Sequence, residues 1–287
     1  MKVLVTGVKG QLGFDVVNAL KKRGHTAIGV DIEEMDITDE AAVEKTLKDV
    51  APEAVIHCAA WTAVDNAEDE ANAQKVYAIN ALGTKYIAQA CRALNAKMLY
   101  ISTDYVFNGE GETPWQPDCK DYAPLNYYGT SKLAGEKFVA ETLDKYFIVR
   151  ISWVFGKNGN NFIKTMLKLS EKYETLRVVC DQIGTPTYTF DLAKLLVDMV
   201  ETERYGYYHA SNEGGYISWH EFACEIFRQA GKNVNVLPVT TAEYGVSKAK
   251  RPFNSRLEKK KLTEQGFERL PSWQNALGRY LLEIKDK

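Results

Sequence analysis

The 287-residue chain lacks an excess of either charge sign: 36 Lys and Arg against 38 Asp and Glu leave a formal net charge of -2. That balance gives no electrostatic reason to expect nucleic acid or an anionic membrane as a partner. The longest basic run, Lys259-Lys260-Lys261, is bracketed by Glu258 and Glu264 and reads as a solvated helix face. No apolar run reaches the ~18 residues that a membrane-spanning helix needs, and Met1 leads into a strand pattern without the features of a signal segment. Cysteine is sparse: 5 scattered thiols form no C-x-x-C pair, and the 4 His are not spaced as ligands. They read as reduced thiols, with no disulfide framework and no metal. Internal repeats and low-complexity stretches are absent too. Together these absences describe a cytoplasmic globular protein.

What the chain does have is concentrated at its start. Val3, Leu4 and Val5 form a short β-branched run bounded by Gly7, the pattern of a buried strand. Leu12, Val16, Val17 and Leu20 then recur at the spacing of one helix face. Gly24 ends that helix, and Thr26 to Val30 reads as a second strand closing at Asp31. A strand, a glycine turn, a helix and a strand make a βαβ unit. Gly7 admits backbone angles closed to other residues, Gly10 removes a Cβ from the path of a ligand, and Gly13 lets helix and strand lie close. The first helical N–H groups and the dipole then favour a pyrophosphate. The spacing is G-x-x-G-x-x-G, one residue longer than the usual dinucleotide fingerprint. Asp31 stands where a carboxylate accepts hydrogen bonds from an adenosine ribose. It would repel a 2′-phosphate, so NADH is expected to serve at least as well as NADPH, with Lys9 the residue placed to oppose that preference.

Further along, Thr38 is expected to cap a helix over 39–50, which Pro52 stops. Ala54 to Ala60 is a third strand ending in small residues, and His57 within it is read as a core histidine. Charged residues 65–80 and alanine-rich residues 81–94 are expected as two helices. Met98 to Thr103 is a fourth strand ending in Ser102-Thr103-Asp104, where doubly wound sheets bind ligands. Residues 108–123, rich in glycine, proline and acids, are expected as a loop over the site. A helix from Asn126 to about Leu143 and a strand over Phe147–Ile151 continue the alternation. The expected fold is therefore α/β: a doubly wound parallel sheet of Rossmann type with a smaller C-terminal substrate-binding lobe. Residues 1–152 are assigned to the dinucleotide-binding domain and 153–287 to the lobe, with 187–210 returning to the first.

Tyr128 and Lys132 lie one helical turn apart. Moving a phenol from pKa ~10 to ~7 takes about 4 kcal/mol. One ammonium at ~4 Å in an effective dielectric near 20 supplies about that much. A hydroxyl from Ser102 or Thr103 is placed to hold a substrate carbonyl oxygen. With 16 Tyr and 36 Lys and Arg in the chain, about two such pairs arise by chance at i,i+4 spacing. Tyr244 and Lys248 repeat it. Position favours Tyr128, which follows a strand end carrying hydroxyls.

The glycine turn, Ser102-Thr103-Asp104-Tyr105-Val106-Phe107 and the Tyr128, Lys132 pair together resemble the extended short-chain dehydrogenase/reductases. Four later stretches narrow the resemblance to the dTDP-4-dehydrorhamnose reductase family over nearly the whole chain. These are Ser152-Trp153-Val154-Phe155-Gly156, Gly159-Asn160-Asn161-Phe162, Asp181-Gln182-Ile183-Gly184-Thr185-Pro186-Thr187, and Arg251-Pro252-Phe253-Asn254-Ser255-Arg256-Leu257. The resemblance implies NAD(P)H-dependent reduction of the 4-keto group of dTDP-4-dehydro-L-rhamnose to dTDP-L-rhamnose, with a nucleotide-sugar substrate. By position it makes Tyr128 the proton donor, Thr103 a partner of the sugar oxygen, and Asp104 and Trp153 sugar-nucleotide contacts. Arg251 becomes a candidate diphosphate ligand. Gly10, Gln11, Leu12, Asp31, Asp36, Ile37, Ala60, Trp61 and Thr62 match cofactor positions. Some members carry acids for a metal at a dimer contact. Here Asp15 matches one, but Phe190 stands where another acid is expected, so no metal is expected and a homodimer is left open. Two other readings remain open to the same residues: another nucleotide-sugar reductase or epimerase, and a non-catalytic regulatory subunit of the methionine adenosyltransferase type.

Overall fold

The computed structural model describes residues 1–285. Its central sheet contains β1 (Lys2–Thr6), β2 (Thr26–Val30), β3 (Ala54–His57), β4 (Lys97–Thr103), β5 (Tyr146–Ile151) and β6 (Gly206–His209). All pairings are parallel, in the order β6-β5-β4-β3-β1-β2. Parallel neighbours need crossovers, and helices α1 (Gln11–Lys22), α2 (Glu40–Val50), α3 (Thr84–Leu94) and α4 (Tyr127–Thr142) supply them. Side chains alternate across β1: Val3 and Val5 pack on one layer and Leu4 on the other, all with no exposed surface. Val3 and Val5 meet Leu12, Val16 and Leu20 of α1, together with Leu192 and Leu196. Leu4 meets Val43 and Leu47 of α2 and Ile87 and Cys91 of α3. Each such fully buried side chain stabilises the fold by about 1.5–3 kcal/mol.

Strand order reverses between β1 and β3, because β2 lies outside β1 while the later strands extend the other way. The crevice beyond the strand ends at that point is where an open α/β sheet binds its ligand. The remaining chain builds a second cluster above this crevice. It contains α5 (Phe162–Ser170), α7 (Trp219–Ala230) and α8 (Trp273–Lys285), with Phe155, Ile163, Phe222, Ile226, Leu277 and Tyr280 at its centre. The helix α6 (Thr189–Val200) instead covers the main sheet beside α1, and β6 adds to that sheet's edge.

Three local expectations are corrected. Asp39, not Thr38, caps α2: its carboxylate accepts the N–H groups of Ala41 and Ala42, while the Thr38 hydroxyl donates to Asp36. Residues 70–94 run as one helical passage through a π turn at Ala78–Gly83, where two helices were expected. The 108–123 segment is a loop, but none of its residues lines the crevice. It is held elsewhere, by Trp115 N–H donating to the Arg256 carbonyl (2.9 Å), by Trp115 stacked on Phe107 (4.5 Å), and by Arg150 reaching the Pro117 carbonyl (3.0 Å).

Candidate active site

The floor of the crevice is the glycine turn between β1 and α1. Gly7 has φ +69°, and a Cβ there would come within 2.8 Å of the Ala59 backbone. A Cβ at Gly13 would collide with the Gly7 carbonyl oxygen. Both positions therefore require glycine, and their packing aims the N-terminus of α1 at the crevice. Thr6 ties this floor to β3: its hydroxyl oxygen accepts the Cys58 and Ala59 N–H groups (3.2 and 3.1 Å) and lies 2.7 Å from His57 Nδ1. His57 is buried and also meets the Thr84 hydroxyl (3.1 Å). Burial and the nearby Lys132 push its pKa down to about 3, so it is a neutral core residue.

The crevice has a volume of about 790 Å³, within the range of small-molecule sites. Of the cofactor positions expected from sequence, Gly7, Gly10, Gln11, Leu12, Gly13, Asp31, Asp36, Ile37, Ala60 and Thr62 line it. So do Thr103, Asp104, Tyr128, Lys132 and Trp153. Two expected residues do not. Trp61 sits just outside, with its backbone N–H donated to Asn80 Oδ1 (2.8 Å) and its indole N–H to the Ala63 carbonyl (3.0 Å). Arg251 is engaged by Asp65 (2.6 Å), the Tyr105 hydroxyl (3.2 Å) and the Ser247 hydroxyl (3.0 Å).

At the adenosine end, the Asp31 carboxylate accepts the Lys9 and Ile32 N–H groups (2.9 and 3.0 Å). The Lys9 ammonium is paired with Glu33 at 2.6 Å, and that hydrogen bond holds its pKa above the usual lysine value. At the other end, Asn126 caps α4 by accepting the Gly129 N–H (2.8 Å), which starts the helix where Tyr128 faces the crevice. The Thr103 hydroxyl lies within hydrogen-bonding reach of the Tyr128 phenol and donates to Asp104 Oδ1 (3.1 Å). Asp104 is buried, which pushes its pKa up to about 6 against the opposing hydroxyls of Ser255 and Thr103. Ser102 Oγ, also buried, has no hydrogen-bond partner among the described residues. A crevice with a Cβ-free cradle at one end and an unmatched buried hydroxyl at the other fits a dinucleotide and a polar substrate.

Lys132 lines the crevice with Tyr128, as its spacing predicts, but its ammonium is engaged by β4. Its ammonium donates to the Ile101 carbonyl (2.7 Å) and lies 4.1 Å over the Tyr100 ring. The groups acting on Tyr128 are Thr103, Asp104 and Tyr105, and burial is the largest influence, raising the phenol above its usual pKa. Burial also pulls Lys132 down to about 7, against the attraction of Glu136. Desolvation of both groups thus outweighs any single favourable charge between them.

Asn80 and Trp219 had no signal in the sequence, and Asn160 and Asn161 stood in the Gly159-Asn160-Asn161-Phe162 stretch without a role. Asn80, on the π turn, bonds the Trp61 backbone through both ends of its amide and reaches Ser131 (2.9 Å) one residue before Lys132. It thus locks the 60–62 wall to α4, a position consistent with the frequent use of π turns near functional sites. Asn160 and Trp219 line the crevice from the second cluster. Asn161 ties that cluster to the glycine turn, donating to Gln11 Oε1 (3.1 Å). Trp153 has φ +49°, a conformation that costs an L-residue about 1–2 kcal/mol. Asp15, by contrast, lies outside the crevice, and its carboxylate accepts the Thr189 hydroxyl (2.5 Å).

A Rossmann-type sheet, a glycine cradle at its switch point and a Thr103, Tyr128, Lys132 group in the same crevice define an oxidoreductase of the extended short-chain dehydrogenase/reductase class. The model of the family described as RmlD substrate binding domain matches residues 1–285, and the chain belongs to that family. It is 42% identical to the spore coat polysaccharide biosynthesis protein SpsK of Bacillus subtilis, over 98% of this chain and 97% of that protein. It is 40% identical to a dTDP-4-dehydrorhamnose reductase of Streptomyces griseus, covering 96% of this chain and 91% of the relative. The crystal structure of dTDP-4-dehydrorhamnose reductase from Bacillus anthracis in complex with NADP superposes with a TM-score of 0.93 at 44% identity, covering 99% and 100% of the two chains.

Proposed function

We propose that this protein reduces the 4-keto group of dTDP-4-dehydro-L-rhamnose to give dTDP-L-rhamnose. The observation that carries the reading is the meeting, in one crevice, of the glycine cradle with Thr103, Tyr128 and Lys132 at the carboxyl end of β4. Bound along the cradle, NADH or NADPH supplies the hydride. Gly7, Gly10, Gln11, Leu12 and Gly13 would hold its pyrophosphate, Asp31, Asp36 and Ile37 its adenosine half, and Ala60 and Thr62 its other half.

Thr103 holds the sugar carbonyl oxygen, and Tyr128 delivers a proton to that oxygen as C4 accepts the hydride. The carbonyl becomes a secondary alcohol, the phenol is left as phenolate, and solvent returns its proton. A phenol kept above its usual pKa by burial suits this direction, because it stays protonated at neutral pH while the forming alkoxide is more basic than a phenolate. Lys132 supplies a donor for a ribose hydroxyl and, below about pH 7, a positive charge in the same crevice. Asp104 and Trp153 contact the sugar nucleotide. All 5 cysteines are unpaired, which supports a cytoplasmic setting.

The test is to follow NADH absorbance with the dTDP-linked 4-keto sugar present. Steady oxidation that yields dTDP-L-rhamnose is expected. No oxidation with this or any related nucleotide-linked keto sugar, alongside normal NADH binding, would return the protein to the non-catalytic alternative.

A further inference from the structure

Trp153 lines the crevice two residues beyond β5, whose last residue Ile151 is paired with Thr103 at the end of β4. Its indole is enclosed from two sides. One face stacks on Trp219, the first residue of α7, with ring centroids 3.7 Å apart and planes 14° from parallel. Its edge lies against Gly184, where a Cβ would come within 2.8 Å of Trp153 Cε2 and 3.0 Å of Nε1. Trp219 is itself immobilised. Ser218 and Glu221 close a capping box around the start of α7, and the Trp219 ring packs on Phe162 (4.6 Å). The Trp153 carbonyl accepts the Thr187 N–H (3.1 Å), which fixes the backbone on the other side. A non-glycine residue persists in the left-handed region only where its surroundings over-determine it, and such residues gather at ligand sites.

We propose that Trp219 and Gly184 are positioning residues that together present the Trp153 indole as a flat wall for the C–H face of the substrate hexose. This rests on the reduction proposed above and adds to it a source of selectivity for the sugar, separate from the cradle that holds the dinucleotide. The deoxyhexose carries an apolar face and a methyl group, which a fixed indole covers without needing a matched donor or acceptor. Trp153 is the contact assigned to the sugar face, and Trp219, which also lines the crevice, acts by holding its ring.

The experiment compares Trp219→Ala, Trp219→Phe and Gly184→Ala with wild type by steady-state NADH oxidation. NADH binding and inhibition by dTDP are measured on each variant. Trp219→Ala removes the stacking partner, and Gly184→Ala pushes the indole from its opposite edge. Both are expected to raise KM for the nucleotide sugar about tenfold while kcat stays within about threefold of wild type. NADH affinity and dTDP inhibition stay unchanged, and Trp219→Phe recovers most of the loss. Unchanged KM in Trp219→Ala and Gly184→Ala, with normal NADH binding, overturns the proposal. A loss of dTDP inhibition parallel to the loss of KM overturns the assignment to the sugar, because the wall would then serve the nucleotide. Wild-type protein that oxidises no NADH with this substrate instead removes the functional reading, and this assignment with it.

Discussion

The chain carries the same pair of side chains at the same spacing twice, and the structure puts the two copies in opposite surroundings. Tyr128 and Lys132 open α4 under the carboxyl end of β4, with Lys132 buried and Tyr128 facing the crevice. Tyr244 is 43% exposed at the end of a short helix, and Lys248, beyond that helix, forms a surface ion pair with Asp69. Spacing on a helix is therefore not what sets the two copies apart. What distinguishes the first copy is burial, which shifts the pKa values of both groups, and a neighbour, Thr103, that the sheet brings from elsewhere in the chain. The second copy has water around it, and water removes most of what a nearby charge can do.

The largest expected effect tests that contrast directly. Tyr128→Phe should lower kcat by about a thousandfold, the usual contribution of a positioned proton donor. NADH binding should be unchanged, since the phenol is not part of the glycine cradle. Tyr244→Phe should leave kcat at the wild-type value. If the two variants lose activity equally, the distinction between the copies is wrong.

The lysines give a smaller effect with a pH signature. Lys132→Met should lower kcat/KM by about a hundredfold near neutral pH. Burial has pulled the wild-type ammonium down to about 7, so its positive charge is present below that pH and lost as pH rises through it. Wild-type kcat/KM should therefore decline above about pH 7, and that limb should vanish in Lys132→Met. Lys248→Met should keep the wild-type profile, because its charge reaches no reacting group. Survival of the limb in Lys132→Met would assign it to another residue.

How legible was this in the sequence? The βαβ unit was fully so, because Val3, Leu4 and Val5 followed by three glycines obey local rules of period and backbone freedom, and those rules act within a dozen residues. The place of Tyr128 was legible for a related reason: it follows a strand end whose side chains are hydroxyls. Lys132 was half legible. Its helix face was right, but the direction of its ammonium depends on the Ile101 carbonyl and the Tyr100 ring, which belong to another strand. Asn80 and Trp219 were invisible, since neither carries a motif and each acts only through contacts more than 18 residues away in sequence. The 108–123 loop and Arg251 depend on contacts that no local pattern shows. The composition of the loop pointed to a cover over the site, and the 254–257 segment and Arg150 hold it elsewhere. Arg251, a diphosphate candidate by resemblance, is paired here with Asp65.

The smallest expected effect sharpens the comparison by asking when an exposed cation does matter. Lys9 is as exposed as Lys248 and is likewise paired, here with Glu33, each of the two side chains being 60% accessible. The pair itself contributes little to stability. Its position differs, because Lys9 lines the crevice at the end where a 2′-phosphate of NADPH would lie, beside the Asp31 carboxylate. A dianionic ligand group can use a surface charge that a folded chain cannot, since it brings its own charge and leaves the lysine solvated. Removing the competing acid should therefore release Lys9 to that phosphate. Glu33→Gln is expected to raise the NADPH-to-NADH ratio of kcat/KM by about three- to tenfold, and Asp31→Ser, which removes the repelling carboxylate, by at least as much. The gain should shrink as ionic strength rises, because screening acts on exposed charges first. An unchanged ratio in Glu33→Gln at low salt would mean that Lys9 does not reach the phosphate and that Asp31 alone sets the preference.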